Sequence, residues 1–451
     1  MKYRQLNSKD IFKSKRFDGS FHNADVNVYD SVITRHSLHH LSYYCSEIFT
    51  SGRNKRVYTT PEFGDPFLSN SDASSASPFT TCKYSSKKYG FDEKAILKGG
   101  MILTGRVGAI GQTVFVPKYW ENFRTQGSDN IIRIVVKPQF RNGFIYAYLA
   151  SRIGNLSFWK HATGGVQPFI TDKMVGELPI PEFPDTFQQE VDDLIQESAR
   201  LREEAADALE EAVSKFDYLF PTQFKEKHLG KVSSKEILNS INKRFEGGFH
   251  ISEGKDIDKY IKEHYEWKSL GDVCSSISRP DIFKRYYVKN GITFLGGADI
   301  FLATPGSDKR LSRAKTNNID ALMIKEGMIL LPRSGTIGNV AWAHAGHAQK
   351  LASEHVIRLL PNDILKAGYV YAFLASKYGK KLIQRYIFGS VIQHVEPPHL
   401  KLIPVPVIDD VTMNDIHNKV MIYSSSMGKA IEKERKAILM VEQEIEKWNK
   451  H

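Results

Sequence analysis

An arginine occurs twice in the same glycine-rich setting. Arg106 lies in GMILTGRVGAIG (residues 100–111) and Arg333 lies in GMILLPRSGTIG (residues 327–338), with eight of the twelve positions identical. The glycines predict a tight, protruding connection between two strands. A guanidinium at the tip of such a connection suits a phosphate or the edge of a guanine. The segment therefore favours a nucleic-acid contact, and structural salt bridges at both arginines are the alternative.

Polar and basic residues near the two segments extend the candidate DNA-binding set. Asn130 in QGSDN and His355 in LASEH occupy matching turns and differ from each other, as base-reading positions should. Gln167 in GGVQP and Gln393 in GSVIQH lie in a similar loop, and glutamine suits adenine. The basic candidates, which should meet phosphates, are Lys87, Lys88, Arg310, Arg313 and Lys315. For each residue, the ordinary polarity of an exposed loop is the alternative.

The patterns of an enzyme site are missing from the sequence. We find no nucleotide-binding loop, no motif for methyl transfer from S-adenosylmethionine and no Cys-x-x-Cys pair. His36, His39 and His40 cluster without carboxylates or cysteines at ligand spacing, so we interpret them as surface residues. No catalytic, cofactor-binding or metal-binding residue is predicted. A nuclease with an unrecognised motif is an alternative, although a single repeated aspartate, Asp72 and Asp299, is too little for its metal.

The arginine segment belongs to a duplication that runs through the whole chain. KRFDGSFH (residues 15–22) returns as KRFEGGFH (residues 243–250), and YAYLAS returns as YAFLAS, at offsets of 225 to 228 residues and in the same order. Short apolar runs between turn signals predict strands, and the YAYLAS and YAFLAS runs predict short helices. We therefore predict an α+β fold with two tandem-duplicated mixed α/β domains, each with a mostly β core, in a pseudo-twofold arrangement.

A long helix with a coiled-coil seam is predicted after each domain. Apolar residues recur at spacings of three and four from Phe187 to Ala212, and again from Met413 to Val441. Such helices need a partner for the seam, and we expect the two to pair; packing of each helix on its own domain is the alternative. The predicted organisation is a first domain at 1–184, a central helix at 185–220, a second domain at 221–408 and a C-terminal helix at 409–451.

The charge of the chain favours a polyanionic partner. With 62 Lys and Arg against 51 Asp and Glu, the formal net charge is +11, which suits nucleic acid. No apolar run is long enough to predict a membrane span. Three scattered cysteines and the lack of a signal-like start favour a reducing cytoplasm.

The ordered set of duplicated motifs resembles the specificity subunit of type I restriction-modification enzymes. The resemblance implies two target-recognition domains, each reading one half of a split DNA site, with antiparallel helices as the spacer between them. It implies a non-catalytic subunit that binds double-stranded DNA and two methyltransferase subunits, and in a restriction complex also a restriction-translocase subunit. The methyltransferase partner would use S-adenosylmethionine to methylate adenine. Some phage-defence methylation systems use similar subunits, and a dimerising structural protein without DNA binding is an alternative.

Overall fold

Two compact units make up the chain. The computed structural model describes residues 7–23, 32–53, 55–89, 92–221, 224 and 229–448. Unit 1 comprises Met1–Glu203 and Lys429–His451, and unit 2 comprises Glu204–Gly428. Two long helices, Asp185–Leu219 (the central helix) and Asp410–Trp448 (the C-terminal helix), each contribute residues to both units. Within the described ranges, no helix combines the length and the hydrophobicity needed to cross a membrane.

Unit 1 has an α+β fold. Its strands are Leu38–His40, Cys45–Phe49, Tyr58–Thr59, Gly64–Leu68, Lys83–Ser86, Ile102–Gly105, Thr113–Phe115, Gln126–Gly127, Ile131–Val136 and Pro179–Pro181. Its α-helices besides the long ones include Ser8–Ser14, Gly19–Asn23, Leu41–Tyr44, Asn70–Ala73, Asn142–Ala150, Arg152–His161 and Asp172–Gly176. Short 3-10 turns occupy Pro61–Phe63, Pro78–Thr80, Glu93–Ala95 and Lys118–Phe123.

Unit 2 has the same mixed character. Its strands are Glu266–Ser269, Cys274–Ser278, Tyr287–Leu295, Arg310–Leu311, Ile329–Pro332, Ala341–Trp342, Leu351–Ala352, Val356–Pro361 and Pro404–Val407. Its shorter α-helices include Ser234–Asn239, Gly247–His250, Glu253–His264, Ile319–Leu322, Ala367–Ala375, Lys377–Arg385 and Pro397–Leu400. The 3-10 turns are Ile241–Lys243 and Asp299–Phe301.

A four-stranded antiparallel sheet organises each unit. In unit 1 the strand that begins at Ile131 lies between Cys45–Phe49 and Ile102–Gly105, and Thr113–Phe115 forms one edge. Unit 2 repeats this order with Cys274–Ser278, Val356–Pro361, Ile329–Pro332 and Ala341–Trp342. The β-branched runs IIRIVV and VIRLLP suit the buried second position in this order. The sheet therefore holds the glycine-arginine connection of each unit at the same place.

The predicted seam residues of both long helices are buried within their units. In unit 1, Val191 of the central helix and Ala437 and Val441 of the C-terminal helix belong to the same core cluster as Phe144 of the globular part. The two helix segments also touch each other there, because the Ser198 hydroxyl donates a hydrogen bond of 2.8 Å to the Ala430 carbonyl. In unit 1, the two long helices therefore pack on the globular part and also contact each other.

Unit 2 packs its helix segments in the corresponding way. The Gly368 amide donates to His417 Nδ1 at 3.1 Å, and a Cβ at Gly368 would lie 3.0 Å from the Val420 Cβ. In unit 1 the matching Gly143 amide donates to Asp192 Oδ1 at 2.7 Å. Glycine at this position in the first turn of a helix therefore lets the globular part approach a long helix closely.

A serine-capped corner in each unit leads toward the candidate site. The Ser151 hydroxyl accepts from the Gly154 amide at 3.1 Å, and the Ser376 hydroxyl accepts from the Gly379 amide at 3.2 Å. Each serine ends one helix and caps the next, as the LAS motif allows. The second helix of each corner runs directly into the loop described below.

The serine-rich stretch SNSDASSASP (residues 69–78) contains a short capped helix. Ser69 and Asp72 form a reciprocal capping box on the helix Asn70–Ala73. Local hydrogen bonding by serine and aspartate explains why a polar composition still produces a fixed turn.

Candidate nucleic-acid interface

The glycine-arginine segment forms a β-hairpin in both units, as predicted, but the arginine is not at its tip. Arg106 follows the strand Ile102–Gly105 directly and is half-buried, whereas Gly108 in the turn is exposed with a φ of 79°. The Arg106 amide donates to the Asn130 carbonyl at 2.8 Å, and the Arg106 carbonyl accepts from the Ile170 amide at 3.0 Å. Arg106 therefore lies at the base of the hairpin, where two neighbouring loops meet it.

Unit 2 repeats this three-way junction. The Arg333 amide donates to the His355 carbonyl at 2.7 Å, and the Val395 amide donates to the Arg333 carbonyl at 3.0 Å. Asn130 and His355 thus occupy equivalent positions next to the arginine, and both are exposed. The structure brings these four predicted residues together in pairs, one pair per unit.

A buried arginine that the sequence reasoning did not single out shapes the turn beside each hairpin. Arg133 is fully buried in its strand and donates to the Ser128 carbonyl at 3.1 Å and the Ile131 carbonyl at 2.6 Å. Arg358 donates to the Val356 carbonyl at 2.7 Å and the Ala352 carbonyl at 2.7 Å. Burial lowers the pKa of each guanidinium to about 10, so both remain charged at neutral pH. Their hydrogen bonds fix the turns that carry Asn130 and His355.

An acidic residue in each turn holds further arginines near the hairpin. Asp129, whose side chain is 6% exposed, pairs with Arg56 and lies 3.1 Å from the Nε of Arg53, which is 80% exposed. In unit 2, Glu354 pairs with Arg285 at 2.5 Å. These arginines were also missed by the sequence reasoning.

The ring under each arginine shows that Arg56 and Arg285 are equivalent. The Arg56 guanidinium lies 5.0 Å from the Phe67 ring centre, and that of Arg285 lies 5.5 Å from the Phe294 ring centre. Phe67 pairs with Gln126 and Phe294 pairs with Leu351, in each case between two parallel strands. The second strand of each pair leads into the turn that contains the acidic residue. Each unit therefore places a stacked arginine and an acid beside its hairpin.

The two hairpin arginines differ in their ion pairing. Arg333 lies 2.6 Å from Glu396, whose other carboxylate oxygen accepts from Arg279 at 2.9 Å. Burial is the largest single influence on the pKa of Glu396 and acts to raise it, but the hydrogen bonds and charges of Arg279 and Arg333 together hold that pKa below its ordinary value. Arg333 therefore forms a structural salt bridge, the alternative that the sequence analysis left open.

Arg106 lacks this arrangement among the described residues, where no ion pair of its guanidinium is found. The equivalents of Arg279 and Glu396 in unit 1, read from the matched strand register and the matched loop, are Thr50 and Thr171. Neither threonine carries a charge. Among the residues that the structure describes, Arg106 is consequently the hairpin arginine that could bind an anionic ligand without first leaving a carboxylate.

Each hairpin also pairs with a rigid loop that presents a valine, and we call these the valine loops (residues 163–169 and 388–394). Thr163 and Phe169 exchange two backbone hydrogen bonds of 2.8 and 2.7 Å, and Phe388 and His394 exchange bonds of 3.0 and 2.9 Å. An antiparallel β-bridge joins each loop to its hairpin. The bridge pairs Val107 with Phe169 in unit 1 and Ser334 with His394 in unit 2.

The predicted glutamines both lie in the valine loops and are exposed. The paired loop ends show, however, that Gln167 is equivalent to Ile392, and that Gln393 is equivalent to Pro168. The two glutamines therefore share a loop but not a position, because the second copy has an isoleucine where the first has glutamine.

The basic candidates lie on a second part of each unit. Lys87 and Lys88 follow the strand Lys83–Ser86, and both are exposed. Arg313, in the equivalent position to Lys87, follows the strand Arg310–Leu311. Lys87 lies 3.9 Å from the buried Asp65. For Arg310, Arg313 and Lys315, which are exposed, no ion pair is found among the described residues.

The repeated KRF motifs anchor the base of each valine loop. Arg16 donates to the His161 carbonyl at 3.3 Å and the Ala162 carbonyl at 3.1 Å, immediately before the first loop. Arg244 donates to the Ile387 carbonyl, immediately before the second. The histidine of each motif bonds back to the arginine carbonyl. These motifs therefore act on the loops through a backbone contact.

The repeated aspartates have structural roles. Asp72 accepts from the Ser69 amide at 2.9 Å, and Asp299 accepts from the Gly296 amide at 2.8 Å, so each closes a turn. In the described part of the chain, no group of three or more His, Cys, Asp or Glu side chains is arranged to hold a metal ion. The histidine cluster makes surface contacts: His36 stacks on Trp448 and His39 stacks on Tyr43.

Comparison with protein families places the junction in a known domain. The sequence model of the family described as "Type I restriction modification DNA specificity domain" matches residues 262–409. This match includes the hairpin, the turn and the valine loop of unit 2. Residues 262–409 therefore match the DNA specificity domain of type I restriction-modification systems.

Solved structures of specificity subunits are similar to this chain at low identity. The S subunit of a type I system from M. genitalium shows 14% identity and a TM-score of 0.36, with 91% of this chain and 95% of that chain covered. The HsdS subunit from Thermoanaerobacter tengcongensis shows 14% identity and a TM-score of 0.27, with 90% and 95% covered. A structure concerning assembly and conformational transition of the type I system shows 14% identity and a TM-score of 0.30, with 92% and 96% covered. A comparison with curated proteins finds no match.

Proposed function

We propose that this chain is the DNA sequence-specificity subunit of a type I-like restriction-modification or methylation-based phage-defence complex. Its two units are copies of one target-recognition domain, and each reads one half of a bipartite DNA site. The observation that carries the proposal is the repeated junction of arginine hairpin, acid-containing turn and valine loop, of which the second copy lies inside the matched specificity domain. The net charge of +11 supports contact with phosphates.

The roles of the junction residues follow from their surroundings. Arg106, Asn130 and Gln167 contact bases or phosphates in one half-site. Arg333, His355 and Gln393 contact the other half-site. The exposed cations on the second part of each unit, such as Lys87 and Arg313, contact phosphates. Asn130 and His355 differ in chemistry at equivalent positions, which supports the reading of two different half-sites.

The long helices serve as the spacer and as the docking surface for the methyltransferase. We propose that they pair antiparallel as a coiled coil, which fixes the number of unread base pairs between the half-sites. Two methyltransferase subunits bind them and use S-adenosylmethionine to methylate adenine, and a restriction-translocase subunit joins in a restriction complex. The chain itself is not an enzyme, needs no cofactor and works in the cytoplasm without a membrane.

A salt titration of DNA binding tests the proposal. The full chain is titrated against a pool of randomised 60-base-pair duplexes in gel-shift assays between about 50 and 200 mM salt. Phosphate contacts release counterions, so the logarithm of affinity should fall linearly with the logarithm of salt concentration, with a slope of about −0.9 for each contact. Absence of binding at the lowest salt concentration, or binding that ignores salt, would contradict the proposal. Either result would favour the structural-protein alternative.

A further inference from the structure

The tips of both valine loops are apolar and exposed. Val166 is 103% exposed, and Val391 and Ile392 are 93% and 68% exposed. A single exposed valine on a protein surface needs no explanation. Here, however, Val166 and Val391 occupy the same loop position in two loops that otherwise share only the glycine at Gly164 and Gly389.

Backbone geometry holds these tips in place. Gly164 and Gly389 have φ values of 98° and 99°, which only glycine adopts readily. A Cβ at Gly164 would lie 2.8 Å from the Gln167 carbonyl oxygen, and one at Gly389 would lie 2.4 Å from that of Ile392. The anchoring arginines of the KRF motifs secure the loop bases. Each valine is therefore presented by a closed loop instead of a loose segment.

Resting on the proposed function, we propose that the valine loops enter the DNA major groove and that Val166 and Val391 contact the C5-methyl group of thymine in A·T pairs. The loops are joined by backbone hydrogen bonds to the hairpins that carry Arg106 and Arg333, so whatever binds there also meets the loop tips. A narrow hairpin loop fits a groove about 12 Å wide.

The residues beside the valines suit the same base pair. Apolar side chains recognise the thymine methyl group, and glutamine recognises adenine with two hydrogen bonds. Val166 is followed directly by Gln167, and Val391 is followed by Ile392 and then Gln393. Each loop tip thus combines the two groups that an A·T pair requires.

The test is selection followed by removal of the methyl group. The full chain and the variants Val166→Ala and Val391→Ala are each used to select duplexes from the randomised pool. Val411→Ala, which changes a valine that is 80% exposed on the C-terminal helix, is the control. Each thymine of the enriched motif is then replaced in turn by deoxyuridine, which lacks only the methyl group.

We expect the wild type and Val411→Ala to lose about three- to tenfold in affinity at one deoxyuridine position per half-site, as the burial of about one methyl group implies. Val166→Ala should abolish this loss in one half-site, and Val391→Ala should abolish it in the other. An enriched motif that is indifferent to both valines would overturn the inference and leave the proposed function intact. Retained thymine preference with weakened methyltransferase binding would assign the tips to protein docking instead. A pool without any enriched motif would overturn both proposals.

Discussion

Replacing the two hairpin arginines should have unequal consequences for the stability of the chain. Arg333→Ala removes one of the two guanidinium partners of Glu396, whose side chain is 22% exposed. Arg106→Ala removes a side chain for which no ion pair is found in the described part of the molecule. The same substitution therefore removes an ion pair in unit 2, whereas in unit 1 no ion pair is lost among the described residues.

The magnitude follows from the contacts. A hydrogen bond to a charged group contributes about 1.5–3 kcal/mol. Arg279, whose Nε donates to Glu396 at 2.9 Å, is expected to remain as a partner in the variant. We therefore expect Arg333→Ala to lower the free energy of unfolding by about 1–2 kcal/mol. For a unit of this size, this corresponds to a decrease in Tm of roughly 2–8 °C. Arg106→Ala should stay within about 0.5 kcal/mol of the wild type.

Thermal unfolding and DNA titration of the same preparations supply the test. The double variant Arg333→Ala with Glu396→Gln should lose less stability than the sum of the two single variants, because both remove one interaction. In gel shifts, Arg106→Ala should lower affinity with a salt slope smaller by about 0.9 if it contacts a phosphate. Loss at a base contact would instead cost about 1–3 kcal/mol at one position. Equal Tm losses for the two single variants would refute the assignment of Arg333 as ion-paired and Arg106 as available.

Four further outcomes are expected. Gly379→Ala should destabilise the chain by about 3 kcal/mol in chemical denaturation, because the new Cβ would lie 2.2 Å from a backbone oxygen of the preceding helix. Gly248→Ala is the control: it has open space around it and should change stability by less than about 0.5 kcal/mol. Ionised Glu396 should stabilise the wild type relative to Glu396→Gln fully above about pH 5, and this stabilisation should vanish as the pH falls through the lowered pKa of Glu396. The reason is that a lowered carboxyl pKa reflects stabilisation of the ionised form only. A Tm difference between variant and wild type that grows toward acid pH would contradict this prediction. Arg333→Ala should weaken recognition of one half-site only, the half read by residues 221–408, and equal weakening of both halves in a selection experiment would refute one domain per half-site. Insertion of four residues into Asp185–Leu219 should change the spacer length of the selected motif but not its half-sites, and unchanged spacing would discredit the spacer role.

Local patterns were sufficient to predict several parts of the fold. The strand and glycine pattern around Arg106 predicted a hairpin, and the structure contains it between Ile102–Gly105 and Thr113–Phe115. Heptad spacing predicted a helix at 185–220, close to the observed Asp185–Leu219. These features depend on neighbouring residues, so a single sequence contains the necessary information. The division of the chain into four consecutive segments stays a prediction.

Non-local contacts explain what the sequence reasoning missed. Arg133 is a charged residue in an otherwise apolar core strand. Its carbonyl partners become available only in the folded structure, from the adjacent turn and from Ala95, which is 38 residues away in the sequence. Arg333 and Glu396 are separated by 63 residues, and no local pattern relates them. The occurrence of arginine at the same position of both apolar strands was the available signal for the first. The sequence contains no comparable signal for the ion pair between Arg333 and Glu396.

The loop contacts show the same limit. The GGVQP and GSVIQH segments predicted a similar loop for Gln167 and Gln393, and both residues lie in the valine loops, one position apart. The backbone pairing of the loop ends confirms that Val166 and Val391 occupy equivalent positions. An exposed valine has no distinctive sequence signature, since apolar residues are ordinarily predicted to be buried.

The most direct measurement is a map of methylated adenines in host DNA with the gene present and with it deleted. A bipartite reader predicts one motif, made of two short specific blocks separated by a constant unread interval, that is methylated only when the gene is present. Identical adenine methylation in both strains, or a lost motif with a single continuous block, would contradict the account.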